Sequence, residues 1–350
     1  MKKRVIIGMS GGVDSSTAII RLKEQGYECI GITFIFTDNF DDTDAKKVAE
    51  KLNIEHHTID YRNIFKKEII DKFIKDYSNG ITPNPCIHCN RVCKFNYLYK
   101  AMEEYNCDYI ATGHYAKIEN NKLYKSLNRE KDQSYFLYNL PKEKLSKILF
   151  PLEGLSKDEV RNIAACNNLD NSNKKDSFDV CFITDSFKNF LNEIIPSKEG
   201  NVIDIATNNI VGTHNGLSRY TIGQRRGLDI GGTKERMFVV GKDMKNNILY
   251  VCLGDENDYL ISDSCIIDEV NLLTDEKITK CSAKFRYRME DVNVELEYLE
   301  DNKILVKYKD GVKRVTPGQA CVLYNNDECL GGGIIKEIRK NNAKLWYING

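Results

Sequence analysis

The most informative segment of the chain is a glycine- and serine-rich string near its start. Residues 10–16 read Ser-Gly-Gly-Val-Asp-Ser-Ser and lie between an apolar run, residues 4–9, and an amphipathic stretch, residues 15–25. Glycine lets a backbone turn tightly and approach an anion, and the N–H groups of the turn and of the next helix then attract phosphate. The string lacks the Gly-Lys-Ser/Thr ending of a Walker A loop. It therefore predicts another type of phosphate turn, in which Asp14 binds magnesium or positions other groups.

Two cysteine positions could carry covalent chemistry. Cys89 ends a Cys-x-x-Cys string that begins at Cys86, in a loop predicted over residues 79–90 and just ahead of a predicted helix. A thiol at a helix N-terminus is expected to have a lowered pKa, because the helix stabilises the thiolate. Cys181 follows a pair of lysines, on a segment that could close over the site. The sequence therefore predicts reactive thiols at Cys89 and Cys181, whereas Cys93 is predicted to be a packing residue.

Composition restricts the class of protein. The chain has 51 basic and 51 acidic residues, so its zero net charge does not by itself indicate a nucleic-acid partner. Local basic pairs could still bind RNA phosphates, and the candidates are Lys174-Lys175, Arg225-Arg226, Arg286 with Arg288, and Lys313-Arg314. Twelve cysteines, together with the absence of an export signal or a long apolar run, predict reduced thiols, a cytoplasmic location and no membrane span.

Strand-like and helix-like runs alternate through the first half of the chain. The predicted strands are residues 4–9, 28–34, 55–60 and 107–112, and the predicted helices are 15–25, 41–52, 64–77 and one that a Ser156–Glu159 capping box opens. This alternation predicts a parallel sheet with helices on both faces. Short β-patterned runs follow from about Pro196, so we predict domains at residues 1–196, 197–265 and 266–350.

Eight blocks of sequence between residue 8 and about residue 335 resemble, in order, the tRNA-specific 2-thiouridylase (MnmA/TrmU) family. The phosphate turn is similar to the PP-loop of the N-type ATP pyrophosphatases, the superfamily that includes this family. The other seven blocks are NPCIHCN at 84–90 with Lys94-Phe95, Gly113-His114-Tyr115, KDQSY at 131–135, the string from 174 to 183, GQRRGL at 223–228, RYR at 286–288 and TPGQ at 316–319.

The resemblance implies an α/β PP-loop domain, followed by a small β-rich central domain and a C-terminal β-barrel domain that binds tRNA. It implies that ATP adenylates the carbon-2 oxygen of the wobble uridine in the tRNAs for Glu, Gln and Lys, and that sulfur then replaces this oxygen. The expected cofactors are ATP and Mg²⁺. The expected partners are tRNA and a cysteine desulfurase or sulfur carrier, with no DNA and no membrane.

The resemblance also assigns residues to these tasks. The residues expected to bind ATP are Gly8, Met9, Ser10, Gly11, Gly12, Val13, Asp14, Ser15, Phe34 and Gly113. The residues expected to contact tRNA are Asn84, Pro85, Cys86, Lys131, Asp132, Gln133, Arg286 and Tyr287. His114 and Gln319 stand at positions that discriminate among tRNAs.

On the same resemblance, Cys181 carries a persulfide whose outer sulfur attacks carbon 2, directly or as released sulfide, and Cys89 then attacks Cys181 and closes a disulfide that a reductant reopens. Cys86 departs from the family, because many members have Asp at this position. With Cys86, Cys89 and Cys181 the chain has three thiolates that could hold a [4Fe–4S] cluster with one iron open. Zinc bound with the help of His88 is a further alternative. The sequence leaves the persulfide, cluster and zinc alternatives open.

Three other classes of function compete with this interpretation. An amidating or argininosuccinate-type synthetase would share the phosphate turn but would need no reactive cysteines. A metal or redox module built on the Cys-x-x-Cys string would not cleave ATP to AMP. An RNA-binding protein without chemistry would bind tRNA and leave its uridine unchanged.

Overall fold

The structure is a computed structural model that describes residues 2–174, 180–183, 187–228, 230–231 and 235–348, without the side chain of Lys188. Lys175, which belongs to one of the predicted basic pairs, lies outside these residues. The elements of the first half are β1 (Arg4–Gly8), α1 (Val13–Glu24), β2 (Glu28–Ile35), α2 (Thr43–Lys51), β3 (Glu55–Asp60), α3 (Arg62–Phe65), α4 (Asp71–Ser78), α5 (Pro85–Cys89), α6 (Asn96–Glu104), β4 (Tyr109–Ala111), β5 (Ala116–Glu119), β6 (Lys122–Lys125), β7 (Ile148–Leu149) and α7 (Lys157–Cys166).

Five strands form a parallel sheet in the order β3-β2-β1-β4-β7. Val5, Ile6 and Ile7 on β1 are fully buried, because helices cover both faces of a parallel sheet and leave no polar side. The prediction of a parallel sheet is confirmed, and each predicted strand lies within two residues of an observed one. The capping box at Ser156 is also present and opens α7.

The prediction of a loop over residues 79–90 is wrong for its second half. Helix α5 begins at Pro85, and a π-helical turn over Asn90–Phe95 joins it to α6 without a break. Proline suits the first position of a helix, where its missing N–H would have no intrahelical partner. A second π turn, Lys66–Ile70, joins α3 to α4 in the same way.

The second half is mainly β-structure. Its elements are α8 (Phe187–Ile194), β8 (Glu199–Asp204), β9 (Asn209–Asn215), β10 (Met237–Asp243), β11 (Ile248–Leu253), β12 (Ile261–Leu272), β13 (Lys280–Lys284), β14 (Val292–Leu299), β15 (Lys303–Lys313), β16 (Ala320–Asn325), β17 (Glu328–Lys340) and β18 (Ala343–Lys344). Strands β10-β11-β8-β9 form a central four-stranded sheet. The predicted domain boundaries near 197 and 266 stay a prediction.

The C-terminal strands close into a barrel, as predicted. The pairing runs β12-β15-β14-β13-β16-β17, and β12 pairs with β17 as well, so the ring has no open edge between these strands. The β5–β6 hairpin of the first half joins this sheet through Tyr124 and Glu328. The barrel is therefore attached to the N-terminal domain by strand pairing. Among the described residues, no helix is long and apolar enough to cross a lipid bilayer.

A buried lysine ties the central sheet to the segment before α5. The side chain of Lys242 on β10 is enclosed, and its Nζ donates to the Gly80 carbonyl at 3.1 Å. Burial lowers the pKa of Lys242 from 10.5 to about 7. The folded chain therefore favours the neutral amine over a pH range in which the unfolded chain keeps this group protonated.

We expect this group to make stability depend on pH. Between about pH 7 and the ordinary lysine pKa of 10.5, unfolding takes up a proton at Lys242, so its contribution to the free energy of unfolding rises with pH by at most about 1.4 kcal/mol per unit. Replacing Lys242 with Met removes this rise. Urea unfolding at several pH values should show a flatter curve for Lys242→Met than for the parent chain. The exposed control Lys309→Met should keep the parental slope, and equal slopes for all three chains would contradict the expectation.

Candidate active site

The phosphate turn, residues 9–12, joins β1 to α1 and needs glycine for steric reasons. Gly11 has φ +69°, and a Cβ there would lie 2.8 Å from the Asp44 Cβ on α2. Any larger residue would force α2 away from the turn. The Ser15 hydroxyl donates to the Gly12 carbonyl at 3.1 Å and accepts from the backbone of the turn. The turn is therefore held in shape by its own side chains.

A buried asparagine supports the turn from outside. Asn171 Nδ2 donates to the Gly11 carbonyl at 3.0 Å and to the Ser16 hydroxyl at 2.9 Å. The Asn171 Oδ1 is buried without a hydrogen-bond partner among the described residues. Sequence reasoning missed this residue, because a lone asparagine after a helix gives no signal that it reaches a loop 160 residues away.

Asp14 acts as an anchor for the start of α1. Its carboxylate accepts from the Tyr115 hydroxyl at 2.7 Å and from Lys157 Nζ at 2.8 and 2.9 Å. An ammonium group that contacts both carboxylate oxygens takes the place that a metal ion would need. Of the two predicted roles for Asp14, positioning therefore fits this geometry, and direct binding of magnesium does not. Lys157 was not singled out from the sequence, where it looks like any lysine in the first turn of a helix.

Gly113 brings the end of β4 against α1. A Cβ at Gly113 would lie 2.9 Å from both the Asp14 carbonyl carbon and the Ser15 nitrogen. No side chain can therefore stand here while the two segments keep this contact. The residues predicted to bind ATP lie at the carboxyl ends of β1, β2 and β4, which are neighbours in the sheet and where ligands bind in open α/β folds.

Phe34 lies deeper than a residue that only borders a nucleotide. Its ring stacks on Phe36 with centroids 5.7 Å apart and meets Tyr97 edge-on at 5.7 Å. Tyr61 closes the same cluster at 6.1 Å. The contact of Phe34 with adenosine stays a prediction. The structure shows that the ring also packs in an aromatic cluster.

Cys89 lies inside the continuous helix rather than in front of it. The thiol of Cys89 is buried and hydrogen-bonded with the thiol of Cys93, and the Lys94 backbone N–H lies against its sulfur. Residues four apart on a helix are neighbours, and the π turn over Asn90–Phe95 lies at this point of the helix; such turns are frequent at functional sites. Cys93 is fully buried, which confirms that it is a packing residue.

The predicted low pKa of Cys89 is wrong for the free protein. The hydrogen bond with Cys93 and burial raise the pKa of Cys89 well above its ordinary value. Burial raises the pKa of Cys181 to about 12, with further contributions from Cys89 and Cys86. The helix begins four residues before Cys89, too far for its N-terminus to offset the lost solvation of a thiolate. These thiols are therefore neutral at pH 7 before substrate binds.

Phe182 sets the position of Cys181. Its buried ring packs against Phe65 at 5.9 Å and Phe73 at 5.3 Å, on the helices that precede Cys89. Cys181 itself stays exposed. Solvent reaches this thiol, yet burial still raises its pKa. Both observations fit a thiol in a concave surface with protein on most sides. The structure thus brings the two predicted reactive cysteines to one site.

Among the described residues, Lys94 is a cation whose charge reaches all three thiols. Its charge acts on Cys86, Cys89 and Cys181, and in each case it favours the thiolate. It also acts on His114, whose pKa is lowered well below its ordinary value by burial and then by Lys94. Lys94 entered the sequence analysis only as part of a family string. Its place among the thiols is visible only in the fold.

His114 connects the thiols with the phosphate turn. It follows Gly113 directly, and its Nδ1 lies 2.8 Å from the Thr112 hydroxyl. Its ring stacks on Phe95 with centroids 5.9 Å apart. Because its pKa is lowered, the ring is neutral at pH 7 and can donate or accept a single hydrogen bond towards a substrate.

The arrangement of the thiols does not fit a metal centre. Among the described residues, no group of three His, Cys, Asp or Glu side chains is placed to hold a metal ion. Cys86, Cys89 and Cys181 influence one another electrostatically but do not converge as ligands. His88 lies on a different surface and lines a groove with Asn84. We therefore derive no chemistry from the iron–sulfur and zinc alternatives.

Several residues predicted to contact tRNA already have partners inside the protein. Asp132 is buried, and its carboxylate accepts from the Ser126 N–H at 2.9 Å and from the Ser134 hydroxyl at 2.9 Å. Gln133 Oε1 accepts from the Tyr115 N–H at 3.0 Å. Lys131 is half-buried beside them. This segment thus braces the strand end that carries His114, and its contact with RNA stays a prediction.

Arg286 and Tyr287 are likewise held by neighbours. Arg286 Nη2 donates to the Ile222 carbonyl at 3.0 Å and to the Arg314 carbonyl at 2.6 Å, and burial lowers the pKa of its guanidinium. The Tyr287 ring lies 4.4 Å from that of Phe136. Arg286 therefore joins the segment between β9 and β10 to the barrel, and any RNA contact from it would use the remaining nitrogen atoms.

Gln319 and the segment before α5 form a common surface. Gln319 Nε2 donates to the Thr82 carbonyl at 2.8 Å, and a Cβ at Gly318 would lie 2.3 Å from Ile81. A groove of about 330 Å³ runs beside this contact, lined by Asn84, Pro317 and residues of β17. Asn84 therefore borders the barrel, and Pro85 and Cys86 follow it into α5 and the thiol site.

Family models match the chain along nearly its whole length. They are described as a tRNA methyl transferase HUP domain (residues 3–185), a tRNA methyl transferase PRC-barrel domain (188–253) and an aminomethyltransferase beta-barrel domain (262–335). Three proteins called tRNA-specific 2-thiouridylase MnmA are similar over 99% of this chain. The protein from Mycoplasmopsis synoviae is 44% identical, and 99% of its own length is covered. The proteins from Geobacillus thermodenitrificans and Listeria innocua are 42% and 43% identical, and 98% of each is covered. Identity at this level over full length shows common descent. The chain belongs to the tRNA-specific 2-thiouridylase family.

Proposed function

We propose that this protein is a tRNA-uridine 2-sulfurtransferase that uses ATP to activate the wobble uridine of tRNA. The observation that carries the proposal is the linkage of the phosphate turn to the thiols through His114 and Lys94. Gly113 packs against Asp14 and directly precedes His114, and the charge of Lys94 acts on His114 and on the three thiols of Cys86, Cys89 and Cys181. A nucleotide in the turn and a uridine beside Cys181 would thus meet in one site.

The first step is adenylation. A uracil carbonyl is a poor electrophile, so its carbon-2 oxygen attacks the α-phosphorus of ATP, pyrophosphate leaves, and the N3 proton is lost. The N-terminus of α1, which begins at Val13 directly after the turn, offers N–H groups to the phosphates. The wobble base is unpaired and can be swung into a pocket, as RNA bases commonly are for chemistry.

The second step is sulfur transfer. The outer sulfur of a persulfide on Cys181 attacks carbon 2, and AMP leaves with the former oxygen. The Cys89 thiolate then attacks the Cys181 sulfur, which forms a disulfide and leaves sulfur on carbon 2, while N3 regains a proton. We propose a cysteine desulfurase or sulfur carrier as donor and the tRNAs for Glu, Gln and Lys as substrates. The exposure of Cys181 gives such a donor access to it.

Serine variants of the two reactive cysteines test the reaction class. Cys89→Ser and Cys181→Ser should each abolish formation of 2-thiouridine, because serine cannot carry or resolve a persulfide. The exposed control Cys166→Ser, on α7, should match the parent. The measurement is mass spectrometry of nucleosides from tRNA incubated with enzyme, ATP and a persulfide donor. Thiolation that persists in either active-site variant, or that needs no ATP, would contradict the proposal.

Removal of the Lys94 charge tests how thiolates arise in this site. Since Lys94 favours the thiolate of Cys181, Lys94→Met should raise the pKa of that thiol further and move its alkylation by iodoacetamide to higher pH. Lys94→Arg keeps the charge and should stay close to the parental profile. Mass spectrometry of the peptide that contains Cys181, over a pH series, gives the profile. Identical alkylation profiles for Lys94→Met and the parent chain would mean that Lys94 does not control the pKa of the Cys181 thiol.

A further inference from the structure

Cys86 is the thiol of the site that the proposed reaction does not use. It lies in the first turn of α5, one turn before Cys89, and solvent reaches it whereas Cys89 is buried, although surrounding protein raises the pKa of Cys86 by burial as it does for Cys181. Residues three apart on a helix share a face, with Cβ atoms about 5–6 Å apart. This spacing is compatible with a disulfide after a small adjustment of the backbone. Cys86 also acts electrostatically on Cys181, so it lies near both partners of the proposed disulfide.

We propose that Cys86 is a resolving thiol that moves the disulfide from Cys89–Cys181 to Cys86–Cys89 after each turnover. The proposal rests on the sulfur-transfer route above. Cys93 is the other thiol in contact with Cys89, but it is fully buried, so a disulfide placed there would be hidden from a reductant. A disulfide at Cys86 ends at the surface.

The exchange balances without an added oxidant. The Cys86 thiolate attacks the Cys89 sulfur, the Cys86–Cys89 bond forms, the Cys89–Cys181 bond breaks, and Cys181 leaves as a thiolate that takes up the proton given up by Cys86. A dithiol reductant, such as a protein of the thioredoxin class, then supplies two electrons and two protons to reopen Cys86–Cys89. Cys181 is free for a new persulfide before that reduction occurs.

A single-turnover experiment without reductant tests the exchange. Full-length enzyme loaded with persulfide at Cys181 is mixed with ATP and substrate tRNA, quenched with acid and alkylated. Non-reducing peptide mapping then gives the disulfides formed per thiolated uridine. For the parent we expect mainly Cys86–Cys89, with one free Cys181 per product. In Cys86→Ser, each thiolated uridine formed should be accompanied by a Cys89–Cys181 disulfide. Cys166→Ser should resemble the parent.

The outcomes separate this inference from the function on which it rests. Absence of product with the parent enzyme would overturn the sulfur-transfer proposal and this one with it. Product accompanied only by Cys89–Cys181 in the parent would overturn the exchange and leave the thiolation route standing. Release of free Cys181 by Cys86→Ser at the parental ratio would also overturn it, because another thiol would then be the resolving group.

Discussion

The contact between Gly113 and the first turn of α1 is the constraint on which the site depends. With a Cβ position only 2.9 Å from the Asp14 backbone, β4 and α1 approach as closely as two main chains can. This contact places His114 beside the phosphate turn, and Lys157 and Tyr115 reinforce it by binding the Asp14 carboxylate. A nucleotide in the turn and a base next to His114 would therefore have a set relative position before either binds.

The thiols are constrained by their protonation state rather than by a backbone contact. A buried thiolate without compensation is unfavourable, so the free protein keeps Cys89 and Cys181 protonated, and their raised pKa values reflect this. Lys94 supplies part of the compensation from within the same helix. A neutral resting state protects the cysteines from adventitious oxidation, since the thiolate is the reactive form. On the proposed route, a bound substrate would complete the environment of the thiols.

The central sheet and the barrel contribute to the site through hydrogen bonds to the segment before α5. Lys242 of the central sheet binds the Gly80 carbonyl, and Gln319 of the barrel binds the Thr82 carbonyl. Arg286 links the segment between β9 and β10 to the barrel. The segment that leads into Asn84 and Cys86 is therefore set by both later domains, although it belongs to the first. Its geometry depends on how the domains pack.

Local patterns in the sequence determined the elements of this protein and the identity of its chemical groups. Apolar runs such as residues 4–9 specify buried strands, the Ser156–Glu159 pair specifies a helix start, and the glycines at 11 and 12 specify a phosphate turn, because each of these depends on neighbours within a few residues. Linked motifs also identified the family. The tertiary structure alone decided which groups meet and in which protonation state. The pKa of Cys89 was predicted in the wrong direction because the sequence analysis took Cys89 to precede the helix, whereas Cys93 lies one turn further along the same helix and packing buries both. The roles of Asn171 and Lys157, and the effect of Lys94 on Cys181, depend on partners that only the fold brings within hydrogen-bond or electrostatic range.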